Sequence, residues 1–342
     1  MKPGHPIILA ISLICYSCSG GDAPSASYEL AAQGIHTGAL STDSEFSLIG
    51  SLNHGASLWR TKDRERLYNW SHQPGVYADL VSVGFSVDGT RAVTTDPRTL
   101  VIWDTGTGKA MAYWTTPAAV LDVALISDGR EVFMGLEDHS AILFDAEAGS
   151  HLYTFLHQGV VGTVAASNDG LWALTGSDDT TAVLWNLTDG SAVHTFTHSN
   201  PVRVVALSAS GRFIFTASHQ QLVALWDGAT GKRLQTLTTR NTGITSARFS
   251  TDEQLLLLGY VNRAVELWDV KRSKRVHRWN TQARNLWHPT GAAILAVGFG
   301  KDPGSYFALA GDGRLMLLSR SQPALSSSNS SSNKCLLGAN CL

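Results

Sequence analysis

The stretches of this sequence with chemically capable side chains are few, and each lacks a part that its chemistry needs. Asp104-Thr-Gly-Thr-Gly-Lys109 has the glycines and lysine of a phosphate-cradling loop. Such a loop also needs a glycine four residues ahead of its Gly-Lys pair and a Ser or Thr after it, and here Ala110 follows the lysine. The acid pairs Glu137-Asp138 and Asp178-Asp179 would serve proton transfer only if two carboxylates faced one bond; both instead occupy the same turn in successive units of a repeat. The 12 histidines are scattered, His-Glu-x-x-His is missing, and Cys-x-x-Cys occurs only at Cys15 and Cys18. No Gly-x-Ser-x-Gly elbow presents a serine nucleophile. The residues therefore predict no catalytic group, no metal, no cofactor and a protein that is not an enzyme.

Composition points to the elements behind these residues. In 342 residues, 44% are hydrophobic and only 16% charged, with 32 Gly and 10 Trp, which suits many short strands joined by tight turns. A net charge of -2 argues against affinity for a row of phosphates, so nucleic acid is not an expected partner. None of the four cysteines, Cys15, Cys18, Cys335 and Cys341, falls between residues 19 and 334, so the folded part depends on no disulfide.

An aromatic followed by a polar residue recurs at Trp59-Arg60, Trp103-Asp104, Phe144-Asp145, Trp185-Asn186, Trp226-Asp227 and Trp268-Asp269, with spacings of 44, 41, 41, 41 and 42. A period of about 40 to 45 residues belongs to four-stranded blades. Tight turns keep the same register at Ser86-Val-Asp-Gly89, Ser127-Asp-Gly129, Ser167-Asn-Asp-Gly170, Ser208-Ala-Ser-Gly211 and Ser250-Thr-Asp-Glu253. A third marker, Asp104 to Gly108, Asp145 to Gly149, Asn186 to Gly190 and Asp227 to Gly231, turns each third strand into the fourth.

Together these markers resemble the WD-repeat (WD40) family over residues 28 to 320. The resemblance implies an all-β, seven-bladed β-propeller. It also implies, in the fullest copy, a hydrogen-bonded tetrad of His157, Thr175 or Ser177, Asp179 and Trp185 that stiffens the blade. Elsewhere the Asp position reads Asn53, Pro97, Asp138, Gln220 and Asn262, so most blades are expected to rely on packing.

The seventh unit has only three strand-like runs, Ile294 to Phe299, Tyr306 to Ala310 and Arg314 to Leu318, so its fourth strand is expected from Tyr28 to Ala31. An open ring would leave sheet edges free to pair with other chains, so closure is expected, and with it a monomer. Residues 321–342, rich in serine, have no apolar period and are expected to be a disordered tail.

Residues 1–17 read as a signal peptide: Lys2 precedes an apolar run from Ile7 to Ile14, too short to span a bilayer. Leu13-Ile14-Cys15-Tyr16-Ser17-Cys18 resembles the lipobox of bacterial lipoproteins, with small Ser17 before Cys18. The resemblance implies lipidation of Cys18, a linker over 18–27 and, with Ser19 next, an outer-membrane location facing the periplasm.

Turns between second and third strands share one face with the blade-linking loops. His54, Arg98, His139, His219 and Arg263 fall in those turns, and Arg240 and Trp287 in the loops. Trp and Arg dominate binding hot spots, so this face is the expected contact for a protein partner, with Trp287, Arg240, Arg263, Arg98 and His219 as its residues. The basic run Lys271 to Arg275 with Arg278 reads as a solvated turn or as a contact for anionic lipid or an acidic partner. The expected function is a non-catalytic, membrane-anchored scaffold of the bacterial cell envelope. The alternative is a ligand-sensing, enzymatic or cofactor-binding propeller with its site at the central channel.

Overall fold

A computed structural model describes residues 21–320 apart from 52, 53, 73, 74, 76–78, 219–221, 238–242 and 283–292. Its 28 strands, β1 to β28 in chain order, form seven four-stranded antiparallel sheets: a seven-bladed β-propeller. Blades 1 to 6 each use four consecutive strands, and blade 7 combines β26 to β28 with β1 (Ala26–Glu29). No helix among the described residues is long and apolar enough to cross a membrane.

Burial follows position in the blade. In blade 4, the middle strands β15 (Trp172–Ser177) and β16 (Thr181–Asn186) are buried along most of their length, whereas the outermost, β17 (Ala192–Thr197), is largely exposed. The apolar core lies between blades: Phe133 and Leu143 of blade 3 pack with Val164, Ala173, Val183 and Trp185 of blade 4. The turns from third to fourth strands sit against the neighbouring blade. Gly190 has a φ of 72°, and a Cβ there would lie 2.7 Å from the Tyr153 ring of blade 3, so both backbone conformation and space require glycine.

Ring closure uses the N-terminal strand, displaced from the expected Tyr28–Ala31. β1 pairs antiparallel with β28 (Arg314–Ser319), from Ala26 opposite Leu317 to Glu29 opposite Arg314, while Leu30 and Ala31 donate their backbone N–H groups to Gly313 O. The chain joins the fold still earlier. Asp22 N donates to Arg278 O at 2.9 Å and Asn280 N donates to Asp22 O at 2.8 Å, on the outer edge of β25 (Lys274–Asn280) in blade 6. Backbone pairing with the propeller thus begins at Asp22, within the stretch 18–27 expected as a linker. The unpaired backbone groups of β25 and β28 supply the reason.

The innermost strands are β2 (Ile35–Leu40), β6 (Ser82–Phe85), β10 (Val120–Ile126), β14 (Val161–Ala166), β18 (Val202–Leu207), β22 (Ile244–Phe249) and β26 (Ile294–Phe299), and each contacts the next around the ring. They surround a channel of about 500 Å³.

Candidate functional site

Three blades carry buried polar networks on their third-strand tryptophan. In blade 4, Trp185 Nε1 donates to Thr175 Oγ1 at 2.9 Å, His157 Nε2 lies 2.7 Å from the same hydroxyl, and His157 Nδ1 lies 2.9 Å from Asp179 Oδ2. Ser177 is not in this chain; its hydroxyl donates to Gly159 O. Burial alone would raise the Asp179 pKa, but hydrogen bonds from Thr181, the Gln158 N–H and His157 outweigh it and hold the carboxyl at about 2.

Blade 2 repeats the arrangement, with His72, Thr94 and Asp96 joining the repeated Trp103. Trp103 Nε1 donates to Thr94 Oγ1 at 2.8 Å, His72 Nε2 lies 2.8 Å from that hydroxyl, and His72 Nδ1 lies 3.2 Å from Asp96 Oδ2. The acid is Asp96 and not the aligned Pro97, because the turn before β8 (Thr99–Asp104) places its carboxylate under the Arg98 and Thr99 N–H groups. Blade 6 substitutes a buried carboxylate. Glu266 accepts from Tyr260 Oη at 2.8 Å, Trp268 Nε1 at 3.1 Å, Arg275 at 2.7 Å and Arg278 at 3.3 Å. Two cations of the basic run thus pair with a buried acid, although Arg275, like Lys271 and Lys274, remains exposed. Blade 5 is incomplete: Trp226 Nε1 donates to Thr216 Oγ1 at 2.7 Å, but among the described residues buried His198 has no hydrogen-bond partner on either ring nitrogen, and burial pulls its pKa down to about 4.

Of the residues expected on the loop-bearing face, Trp287, Arg240 and His219 lie outside the described residues. Arg98 is exposed and donates to Pro117 O at 3.0 Å. Arg263 sits in its turn at a φ of 68°, next to Val261, which is 59% exposed. Leu156, 73% exposed at the end of β13 (Ser150–Leu156), reaches the same face. Neither apolar residue was singled out in the sequence, where each reads as an ordinary strand or turn residue.

The channel wall is set by register. Each innermost strand except β6 carries a bulge, at His36, Leu121, Gly162, Arg203, Thr245 and Leu295, and these residues all face the channel. One residue beyond lies a ring of Thr37, Ser82, Asp122, Thr163, Val204, Ser246 and Ala296, in which Asp122 alone is ionisable. Its carboxylate accepts from Ser82 Oγ in blade 2, its own neighbour Val123 N and Val164 N in blade 4, each at 2.9 Å. Burial raises its pKa against those hydrogen bonds. Two residues further along, the ring reads Ala39, Gly84, Ala124, Ala165, Ala206 and Gly298, and only blade 6 departs from it, with Arg248.

The Arg248 side chain crosses blade 7 to blade 1, where NH1 donates to Leu40 O at 2.7 Å and Ser41 O at 3.2 Å. The aligned first strands contain the signal, a single arginine in a column of Ala and Gly. The motif markers lie elsewhere and did not draw attention to it.

Three stretches match the WD domain, G-beta repeat family model. They are residues 149–186, 190–227 and 231–269, and a search of curated proteins finds no match. Each matched WD repeat begins at or beside the outermost strand of one blade and ends with the third strand of the next, so successive repeats interlock the blades. The blade 4 network and Arg248 lie within matched WD repeats; the blade 2 network and Asp122 lie outside them.

Proposed function

We propose that the protein is a non-catalytic interaction scaffold, held at a bacterial outer membrane by lipid on Cys18 and facing the periplasm. It captures protein partners on the face of blade-linking loops. The propeller of WD repeats is typically a protein-interaction scaffold. The observation that carries the reading is how the chemically capable residues are used. Asp104 accepts from Thr107 N and Oγ1, Asp138 from Ser140 N and Oγ, and Asp179 from His157 and Thr181, so each serves its own turn or blade. Function is argued from such sites and not from the fold alone. On the proposed face, Arg98 and Arg263 supply guanidinium groups, a residue type enriched at binding hot spots, and Val261 and Leu156 add exposed apolar area.

The anchor reading rests on the resemblance around Cys18. Asp22 docks on blade 6 only a few residues later, so a lipid on Cys18 would hold the rim of blade 6 close to the membrane. Replacing Cys18 by Ala is expected to abolish incorporation of a fatty-acid analogue and release the protein from membranes; label lost with Cys15→Ala instead overturns the assignment. Crosslinking in intact envelopes tests the face. Trp287→Ala, Arg240→Ala and Arg98→Ala together are expected to remove the main crosslinked species with an unchanged melting temperature. Crosslinks that survive place the partner elsewhere, and a collapse in stability makes these residues core.

A further inference from the structure

Arg248 has more hydrogen-bonding capacity than the protein uses. A guanidinium carries five N–H donors in a fixed fork. NH1 is bonded to the carbonyls of Leu40 and Ser41, and Nε and NH2 meet no protein acceptor among the described residues. Among the described residues, no carboxylate is paired with Arg248. The nearest field is that of Asp43, which accepts from Ser41 Oγ and Glu45 N and is paired with Lys301 at 3.3 Å. Burial pulls the Arg248 guanidinium down to about 10, which leaves it charged at neutral pH.

The space before it is shaped for a ligand of opposite sign. Arg248 faces both the channel of about 500 Å³ and a hollow of about 230 Å³ opening on the face opposite the blade-linking loops. In that hollow it is the only ionisable side chain among the described residues, beside the neutral Thr42, Asn168 and Thr251. The small residues at the equivalent positions of the other blades keep the wall clear. The single acid lining the channel among the described residues, Asp122, is two positions higher and on blade 3, engaged by donors from blades 2 and 4.

We infer that this end of the channel binds a small oxyanion, a phosphate or a carboxylate that offers two oxygens to the Nε and NH2 edge of Arg248. Planar two-point recognition of this kind is where arginine is preferred to lysine. The bound anion would also join blade 6 to blade 1 through the same side chain, on either side of the blade that closes the ring. This reading is independent of the partner face and of the lipid anchor.

Isothermal titration of the full chain in detergent, first with inorganic phosphate and then with succinate at matched ionic strength, tests the inference. A saturable one-to-one heat with either probe is expected, and which probe gives it distinguishes phosphate from carboxylate. Arg248→Leu is expected to weaken that binding by about ten- to a hundredfold. Asn168→Asp keeps Arg248 and its bonds to blade 1 but adds a negative charge at the mouth, and is also expected to weaken binding. No heat with either probe overturns the inference, as does binding unchanged in Asn168→Asp or in a folded Arg248→Leu.

Discussion

His198→Phe isolates the cost of burying an imidazole with no acid beside it. In blades 2 and 4 the histidine before the first strand lies against Asp96 or Asp179, but in blade 5 the sequence offers Gln220 at the aligned position. His198 is 6% exposed, both ring nitrogens are without hydrogen bonds among the described residues, and its edge meets Trp226 with centroids 6.2 Å apart. Burial lowers its pKa from 6.5 to about 4. The folded value is depressed, so between these limits the unfolded chain binds a proton that the folded chain refuses. The stability contribution is therefore intact above pH 6.5 and is lost as pH falls towards 4. At about 1.4 kcal/mol per unit, the whole window is worth about 3 kcal/mol. Phenylalanine keeps the ring against Trp226 and cannot take up a proton. Urea unfolding at about pH 7.5 and about pH 4.5 should show the variant gaining about 2 to 3 kcal/mol on the wild type at the lower pH. His72, whose pKa burial also lowers against the pull of Asp96, is present in both proteins and cancels in the comparison. A stability difference that does not change with pH would refute the argument.

Thr175→Val, which keeps the shape of the side chain, strands Trp185 Nε1 and His157 Nε2 in the interior. At about 1 to 3 kcal/mol for each buried polar group left unpaired, a loss of about 2 to 4 kcal/mol is expected in urea unfolding, and a loss below 0.5 kcal/mol, roughly the scale of a surface change, counts against the network. Deleting residues 22–31 from the Cys18→Ala protein removes β1, exposes β28 along one edge and uncovers the site of buried Leu30. A lower melting temperature with concentration-dependent association is expected by light scattering, and an unchanged monomer would mean that closure does not depend on this strand.

The sequence by itself determined the repeating parts. Blade number was legible because every blade needs the same turns, and positions such as Gly190, with a φ of 72°, tolerate few residue types. Those constraints are local in the chain, so they leave a periodic mark. His157, Thr175, Asp179 and Trp185 could be aligned for the same reason: they belong to one repeat. Asp96 was missed because a turn one residue different moves the acid off the aligned column while its carboxylate still reaches His72.

Tertiary structure decided what depends on neighbours distant in sequence. Asp22 is an ordinary residue until its backbone meets the free edge of β25 in blade 6. Glu266 differs from its counterparts in the sequence, but only the folding back of Arg275 and Arg278 along the next strand explains how a buried carboxylate is tolerated there. Arg248 stands out in a column of Ala and Gly, yet its acceptors, Leu40 O and Ser41 O, are backbone atoms more than 200 residues away, on the far side of the closing blade. Backbone carbonyls carry no sequence identity, so no spacing in the chain records which of them a long side chain will reach.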